Sequence, residues 1–303
     1  MPSGLSAWPG AVAQDRFPSK PLRIIVTLGA GGSGDLVART LAQQLGEILG
    51  QPIVVENRAG GAAIPETEHA AKAPPDGYTI LQYTSTPYDL FRDFTPLSYA
   101  FEAPLVLLTS GSSPNTKVAE LLAFAQTQPK GITFGHGGTG SMSHLSAEMF
   151  RRAMGIAAVS VAYKGNAPAM ADLISDRLDY YFSTVNDVLP HIRSGRLRAL
   201  AVTSARRDPL LPDVPTMTEL GFKDFTPLVS WGYLVPKGTP APIARQLQDA
   251  IAKAIVTPVM QERLLAVGAS STNVGGPDVM TSKMRAEIAR WEPVIREAHI
   301  KPE

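Results

Sequence analysis

The chain has 303 residues, 44% hydrophobic and 18% charged, with a formal net charge of +1 and no cysteine. That length and balance suit a globular protein of two domains, or one domain with a large insertion. They exclude disulfides, thiolate catalysis and cysteine-held metals, and they argue against a nucleic-acid binder, which carries a basic excess on one face. No apolar run approaches the roughly 18 residues of a membrane-spanning helix.

Residues 1–16 are small, Pro- and Gly-containing and without periodicity. Ala11-Val12-Ala13 before Gln14 has the A-x-A form of a signal-peptidase site. This stretch is expected to be a secretory-signal remnant and disordered leader, cleaved after Ala13, so that the mature protein works outside the cytoplasm.

The chain is organised around residues 22–61. Residues 22–28 are an apolar, β-branched run of the kind expected for a buried parallel strand. Gly29, Gly31, Gly32 and Gly34 then turn the backbone without a Cβ in the way. From Asp35 the apolar positions Leu36, Val37, Leu41, Leu45, Ile48 and Leu49 recur at helical period up to Gly50, and residues 52–56 read as a second strand. Such a βαβ unit aims free helix N–H groups at the crevice beyond the strand ends, which favours an anion. Gly29-x-Gly31-x-x-Gly34, with Glu56 further on, also matches a dinucleotide fingerprint, and an NAD-dependent oxidoreductase is the alternative reading. Asp35 argues against it, because its charge follows the last glycine where a pyrophosphate would sit.

Further along, a short helix is expected at 66–72, a turn at Pro74-Pro75-Asp76-Gly77 and a strand at 78–83, followed by the hydroxyls of Thr84, Ser85 and Thr86. A strand at 98–110 and a helix at 117–128 come next. A second strand–glycine–helix unit occupies 132–154, with the loop HGGTGSMSH between its two elements. Strands at 157–163, 178–182 and 197–203 alternate with helices at 167–176 and 188–194, and a short helix is expected at 216–220. A strand at 228–236 and helices at 240–256, 258–267 and 277–298 complete the chain. Two anion-friendly loops on two α/β units suggest two lobes facing one cleft. Were residues 111–224 one lobe, the crossings would be 105–110 and 228–236, and the first lobe would be built from both chain ends.

Other chemistries are poorly supported. His136 and His144 lack a metal-ligand spacing, and no H-E-x-x-H occurs. Ser141 and His144 have neither a G-x-S-x-G elbow nor a carboxylate to orient the histidine. Lys164, in Tyr163-Lys164-Gly165 at a strand end, is a candidate attractor for an anion.

Taken jointly, the blocks FPSKPLRIIV, GAGGSGDLVAR, LGQPIVVENRAGG, PPDGYTIL, FGHGGTGSMSHLSAEMF, VAYKGNAPAMADLISDRLDYYF, LPHIRSGRLRALAVTSARRDPLLPDVPT and HIKPE resemble the Bug or TctC-like solute receptors of tripartite tricarboxylate transporters, over residues 17–303. The resemblance implies an α/β, type II periplasmic binding protein: two α/β lobes joined by two crossing strands, with a ligand cleft between them. The lobes would be 17–110 with 225–303, and 111–224. It further implies a periplasmic monomer without catalytic activity, cofactor, metal or nucleic acid, which hands a small carboxylate or related polar ligand to membrane permease subunits or to a sensor protein. In that family one ligand carboxylate is held by main-chain N–H groups and waters from the loop after the first strand and from the loop matching GTGSMSH. Carried onto this sequence, with the strand-end residues read above, the expected ligand-binding set is Leu28, Gly29, Ala30, Gly31, Gly32, Ser33, Asp35, Thr84, Ser85, Gly138, Thr139, Gly140, Ser141, His144, Tyr163, Lys164 and Ser183. The chain departs from the pattern at Thr27 and Ala59, where relatives carry proline, and at Ser183, where an aspartate is usual. It also lacks a turn of chain that relatives carry after the position of Thr86.

Overall fold

The computed structural model describes residues 17–27, 29–58, 64–84, 90–269 and 274–300. Strand β1 (Leu22–Val26) is buried on both faces, with Ile24, Ile25 and Val26 fully enclosed. Helix α1 (Ser33–Leu49) lays Val37, Ala38, Leu41 and Leu45 on that sheet and stops where Gly50 takes the left-handed conformation, its N–H bonding Gly46 O. Strand β2 (Ile53–Asn57) pairs parallel to one edge of β1. After α2 (Ile64–Ala71), β3 (Thr79–Thr84) pairs parallel to the other edge. A dinucleotide-binding half would continue the sheet beyond β2. Here the third strand lies on the far side of β1, and the fingerprint is contained in a different topology.

Strand β4 (Phe94–Ser110) is 17 residues long, about 55 Å of extended chain. Its length serves two groups of neighbours. Residues 94–104 pair with β9 (Leu228–Pro236), which is itself inserted between β3 and β4. Residues 105–110 pair instead with β7 (Tyr181–Thr184) and β8 (Leu197–Val202). Around that second part lie α3 (Val118–Thr127), β5 (Ile132–His136), α4 (Met142–Ala153), β6 (Ala158–Ala162), α5 (Asn166–Ile174) and α6 (Val185–Arg193). β5 and β6 pair parallel, and Phe134 bridges to Tyr180 just before β7.

The chain returns to the first group after Thr203, a fully buried side chain. Its Oγ1 accepts from Leu105 N at 2.8 Å and donates to Pro227 O at 2.6 Å, so the excursion between them leaves and rejoins β4 at one point. Within that excursion residues 216–220 form turns, not the expected helix: Thr216 is held as a parallel bridge to Val202, leaving one Leu220 N–H to Thr216 O bond.

Helices α7 (Ala241–Ile255) and α8 (Pro258–Ala266) complete the α1 face. Helix α9 (Pro277–Glu297) covers the opposite face through Met280 and Met284, and reaches α4 through an Arg152–Glu297 ion pair of 2.6 Å. The main core is continuous between the two groups, through Phe101 stacked on Trp231 and the Phe150, Phe182 and Phe225 cluster.

Thr203→Val keeps the shape of this junction and strands a buried N–H and a buried carbonyl. A loss of about 1–3 kcal/mol is expected in urea unfolding. An unchanged unfolding free energy would show that the junction does not depend on the hydroxyl.

Candidate ligand-binding cleft

The first glycine loop leaves β1 and enters α1 through Gly32, the N-cap, which offers no side-chain cap. The first helical bond closes from Leu36 N–H to Gly32 O at 3.0 Å, so the amides of Ser33, Gly34 and Asp35 are those a helix cannot satisfy itself. A Cβ at Gly29 or Gly31 would meet nothing within 4 Å, so the loop borders open space, although Gly31 at φ 89° favours glycine. Asp35 turns away from that space. Its carboxylate accepts from Gly31 N at 2.8 Å, from Asn57 Nδ2 at 2.9 Å and from Arg39 Nε. Burial opposes its ionisation, but these partners outweigh burial and hold the carboxyl below its ordinary range. Asp35 is thus a loop brace, and the Gly31 N–H is committed to it. Glu56 is shared between Arg23 and Arg58 at 3.8 and 3.7 Å.

The second loop joins β5 to α4 and is braced by two histidines. Gly138 N–H donates to His136 Nδ1 at 3.3 Å, Gly140 N–H to His144 Nδ1 at 3.1 Å, and Gly137 N–H to Ser143 Oγ at 3.1 Å. The imidazoles stack with centroids 3.9 Å apart and 11° between their planes. With both Nδ1 atoms accepting, each ring is assigned the neutral tautomer protonated at Nε2, and His144 Nε2 lies 3.5 Å from Ser160 Oγ. Burial pushes both pKa values down, His144 to about 3 with the neighbouring ring contributing. Ser141 caps α4 by accepting from His144 N. Among the described residues no cluster suited to a metal is present, and His144 Nδ1 is occupied by a backbone donor. Thr139 sits at the loop tip, half-buried.

The two loops meet through an element that the expected site underweights. Gly135 N–H bonds Tyr180 O, so the ends of β5 and β7 lie side by side. At the start of α6, Asp187 Oδ1 accepts from Ser33 Oγ at 3.1 Å, which puts the first turns of α1 and α6 in contact across the two groups. Tyr181, fully buried, donates to Asn166 Oδ1 at 2.8 Å. Its hydroxyl also contacts Ser143 and feels the Asp187 charge, and burial first of all raises its pKa. Around this junction the hydroxyls of Thr84, Ser183 and Thr184 are buried without a hydrogen-bond partner, as are Gln82 Oε1 and Trp231 Nε1. Thr84 pairs with Trp231, Ser183 with Val106 and Thr184 with Leu105, where β4 changes partners.

Tyr163 is directed elsewhere, its hydroxyl donating to Asp172 at 2.7 Å; burial and that carboxylate raise its pKa to about 12. Lys164 is exposed on the adjoining turn, which is tied to the β5 loop by Gly165 N–H to Gly137 O. Leu28 and Ser85 lie outside the described residues. Sequence reasoning missed Thr184, Asp187, Tyr181 and Asn166. Thr184-Val185-Asn186-Asp187 has the spacing of a capping box, a signal that reads as helix architecture. In the fold Thr184 makes no cap bond and Asp187 bonds Ser33 instead.

Two α/β lobes that share a strand and turn helix N-termini toward one another across a cleft define the two-lobed class of solute-binding proteins. Residues 37–300 match the model of the tripartite tricarboxylate transporter family receptor (TctC), and the chain belongs to that family. It is 36% identical to protein BugT of Bordetella pertussis, over 96% of this chain and 93% of that one. R. palustris Rpa4515 with adipate superposes with a TM-score of 0.86 at 33% identity, covering 95% of this chain and 100% of the other. MatC (Rpa3494) from Rhodopseudomonas palustris with bound malate gives 0.84 at 29%, covering 92% and 100%.

The histidine pair carries a pH dependence of defined sign. His144 titrates near 6.5 when unfolded and at about 3 when folded. Its contribution to stability is therefore complete above pH 6.5 and is lost as pH falls toward 3, with a slope approaching about 1.4 kcal/mol per pH unit. Urea unfolding at pH 7 and pH 5 should show a larger loss for the wild type than for His144→Asn; equal losses would contradict the assignment.

Proposed function

We propose that the protein is a non-catalytic periplasmic receptor that captures a small organic anion through a carboxylate and presents it to the permease of a tripartite transporter. The observation that carries this reading is the junction of α1 and α6, with orphaned buried hydroxyls at the ends of β3 and β7 and the braced β5–α4 loop beside it. Amides at the helix starts and neutral hydroxyls can replace the hydration of a carboxylate without a full positive charge. The relatives found with adipate and malate support a carboxylate as the ligand class.

In this reading residues 17–110 with 225–303 form one lobe and 111–224 the other, and the lobes hinge where β4 changes partners and Thr203 ties the return. A ligand that touches both sides favours the closed arrangement, which the permease then recognises. The A-x-A site after Ala13 is the proposed route to the periplasm.

Thermal unfolding against a panel of small carboxylates, amides and NAD tests the reading. A true ligand at a hundredfold excess over its Kd stabilises by about 2.7 kcal/mol. A shift with at least one carboxylate and none with NAD is expected; a shift with NAD alone would overturn the proposal.

The orphaned hydroxyls give a second test, because empty they cost stability and filled they bond ligand. Ser183→Ala and Thr184→Val should leave unfolding stability equal or higher, while weakening the ligand by about 0.5–1.5 kcal/mol each, roughly two- to tenfold. Unchanged affinity in both would remove these side chains from the site.

A further inference from the structure

Asp187 makes a contact that spans the two lobes at the helix starts, and its situation is unusual in three respects. It is half-buried, one oxygen accepts from Ser33 Oγ at 3.1 Å, and among the described residues no cation pairs with it. The nearby cations are committed or outlying: Arg39 to Asp35 and Asn57, Arg58 to Glu56, and Lys164 exposed on an outer turn. The strand-end segments 29–32, 137–141 and 183–186 contain no lysine or arginine. Four and three positions earlier in the chain, the hydroxyls of Ser183 and Thr184 are partnerless and the residues 3% and 8% exposed. Thr184, at the N-cap, makes no bond to its own helix.

A cleft built this way sets opposite preferences side by side, because Asp187 contacts Ser33, the first residue of α1. The α1 amides suit a carboxylate, whereas the unpaired Asp187 oxygen accepts a donor and repels a second anion. Resting on the receptor reading above, we propose that Asp187 is a specificity-determining residue. It selects small carboxylates that carry a hydroxyl, amide or ammonium donor, and disfavours those that offer a second ionised carboxylate in its place. The repulsive element matters as much as the attractive one, since specificity is a difference between two affinities.

Two matched pairs of probes isolate this contribution in isothermal titration. Malate differs from succinate by one hydroxyl, and 6-aminohexanoate from adipate by an aminomethyl cation (CH2–NH3+) in place of a carboxylate. Wild-type protein should bind the donor-bearing member of each pair about tenfold more tightly or better. Asp187→Asn should abolish or reverse that order, mainly by strengthening succinate and adipate. Asp187→Ser serves where the first variant fails to melt cooperatively. A variant that keeps the wild-type ratio, or a wild type that prefers succinate and adipate, would overturn the assignment while leaving the receptor reading in place. Failure of all four probes to bind wild-type protein would also overturn it, and the broader thermal panel then decides the receptor reading separately.

Discussion

An α-helix cannot satisfy its own first amides, and the proposed function of this chain grows from where it leaves them. Helices α1 and α4 each follow a strand through a short loop and α6 follows β7 directly, and β7 pairs with β4 at the point where β4 passes from one set of partners to the other. Glycines shape two of those starts and a Ser-Thr pair the third. In the proposed function the carboxylate donors are mainly backbone groups, joined by a few hydroxyls. What such a site needs is rigid loops. The protein supplies the rigidity with side chains that face inward, namely Asp35 under the first loop and the His136–His144 stack under the second.

That division of labour explains which parts were legible in the sequence. The βα units could be read because apolar runs, glycine turns and helical period coincide, and their boundaries fell within a few residues. The role of Asp35 was half legible: an acidic residue in a first turn is expected near the helix start, but its acceptance from Asn57 depends on β2 lying alongside. The histidines could be excluded as metal ligands, yet their stacking needs the loop to fold back on α4. Least legible was α6. Thr184-x-x-Asp187 states a local preference that the tertiary structure overrides, because Asp187 finds Ser33 on a helix 154 positions earlier in the chain. The insertion of β9 between β3 and β4 was equally invisible, since periodicity identifies a strand and says nothing of its neighbours.

Stability and binding are also separable in this arrangement. The orphaned hydroxyls at the ends of β3 and β7 act against the fold, while the neutral histidines support it in full only above the pH at which they would protonate in the unfolded chain.

The insertion of β9 has a further consequence, for the order in which the molecule forms during synthesis. Residues 105–202 contain β5–β8 and their helices, and can collapse early on neighbours close in sequence. The sheet bearing the first glycine loop cannot close then. β3 and the first part of β4 remain unpaired edges until residues 228–236 arrive, and the Gln82 to Tyr233 contact spans 151 positions. Long-range pairing of this kind is slow. The sheet that carries β1 therefore gains its last strand only when the final quarter of the chain has been made.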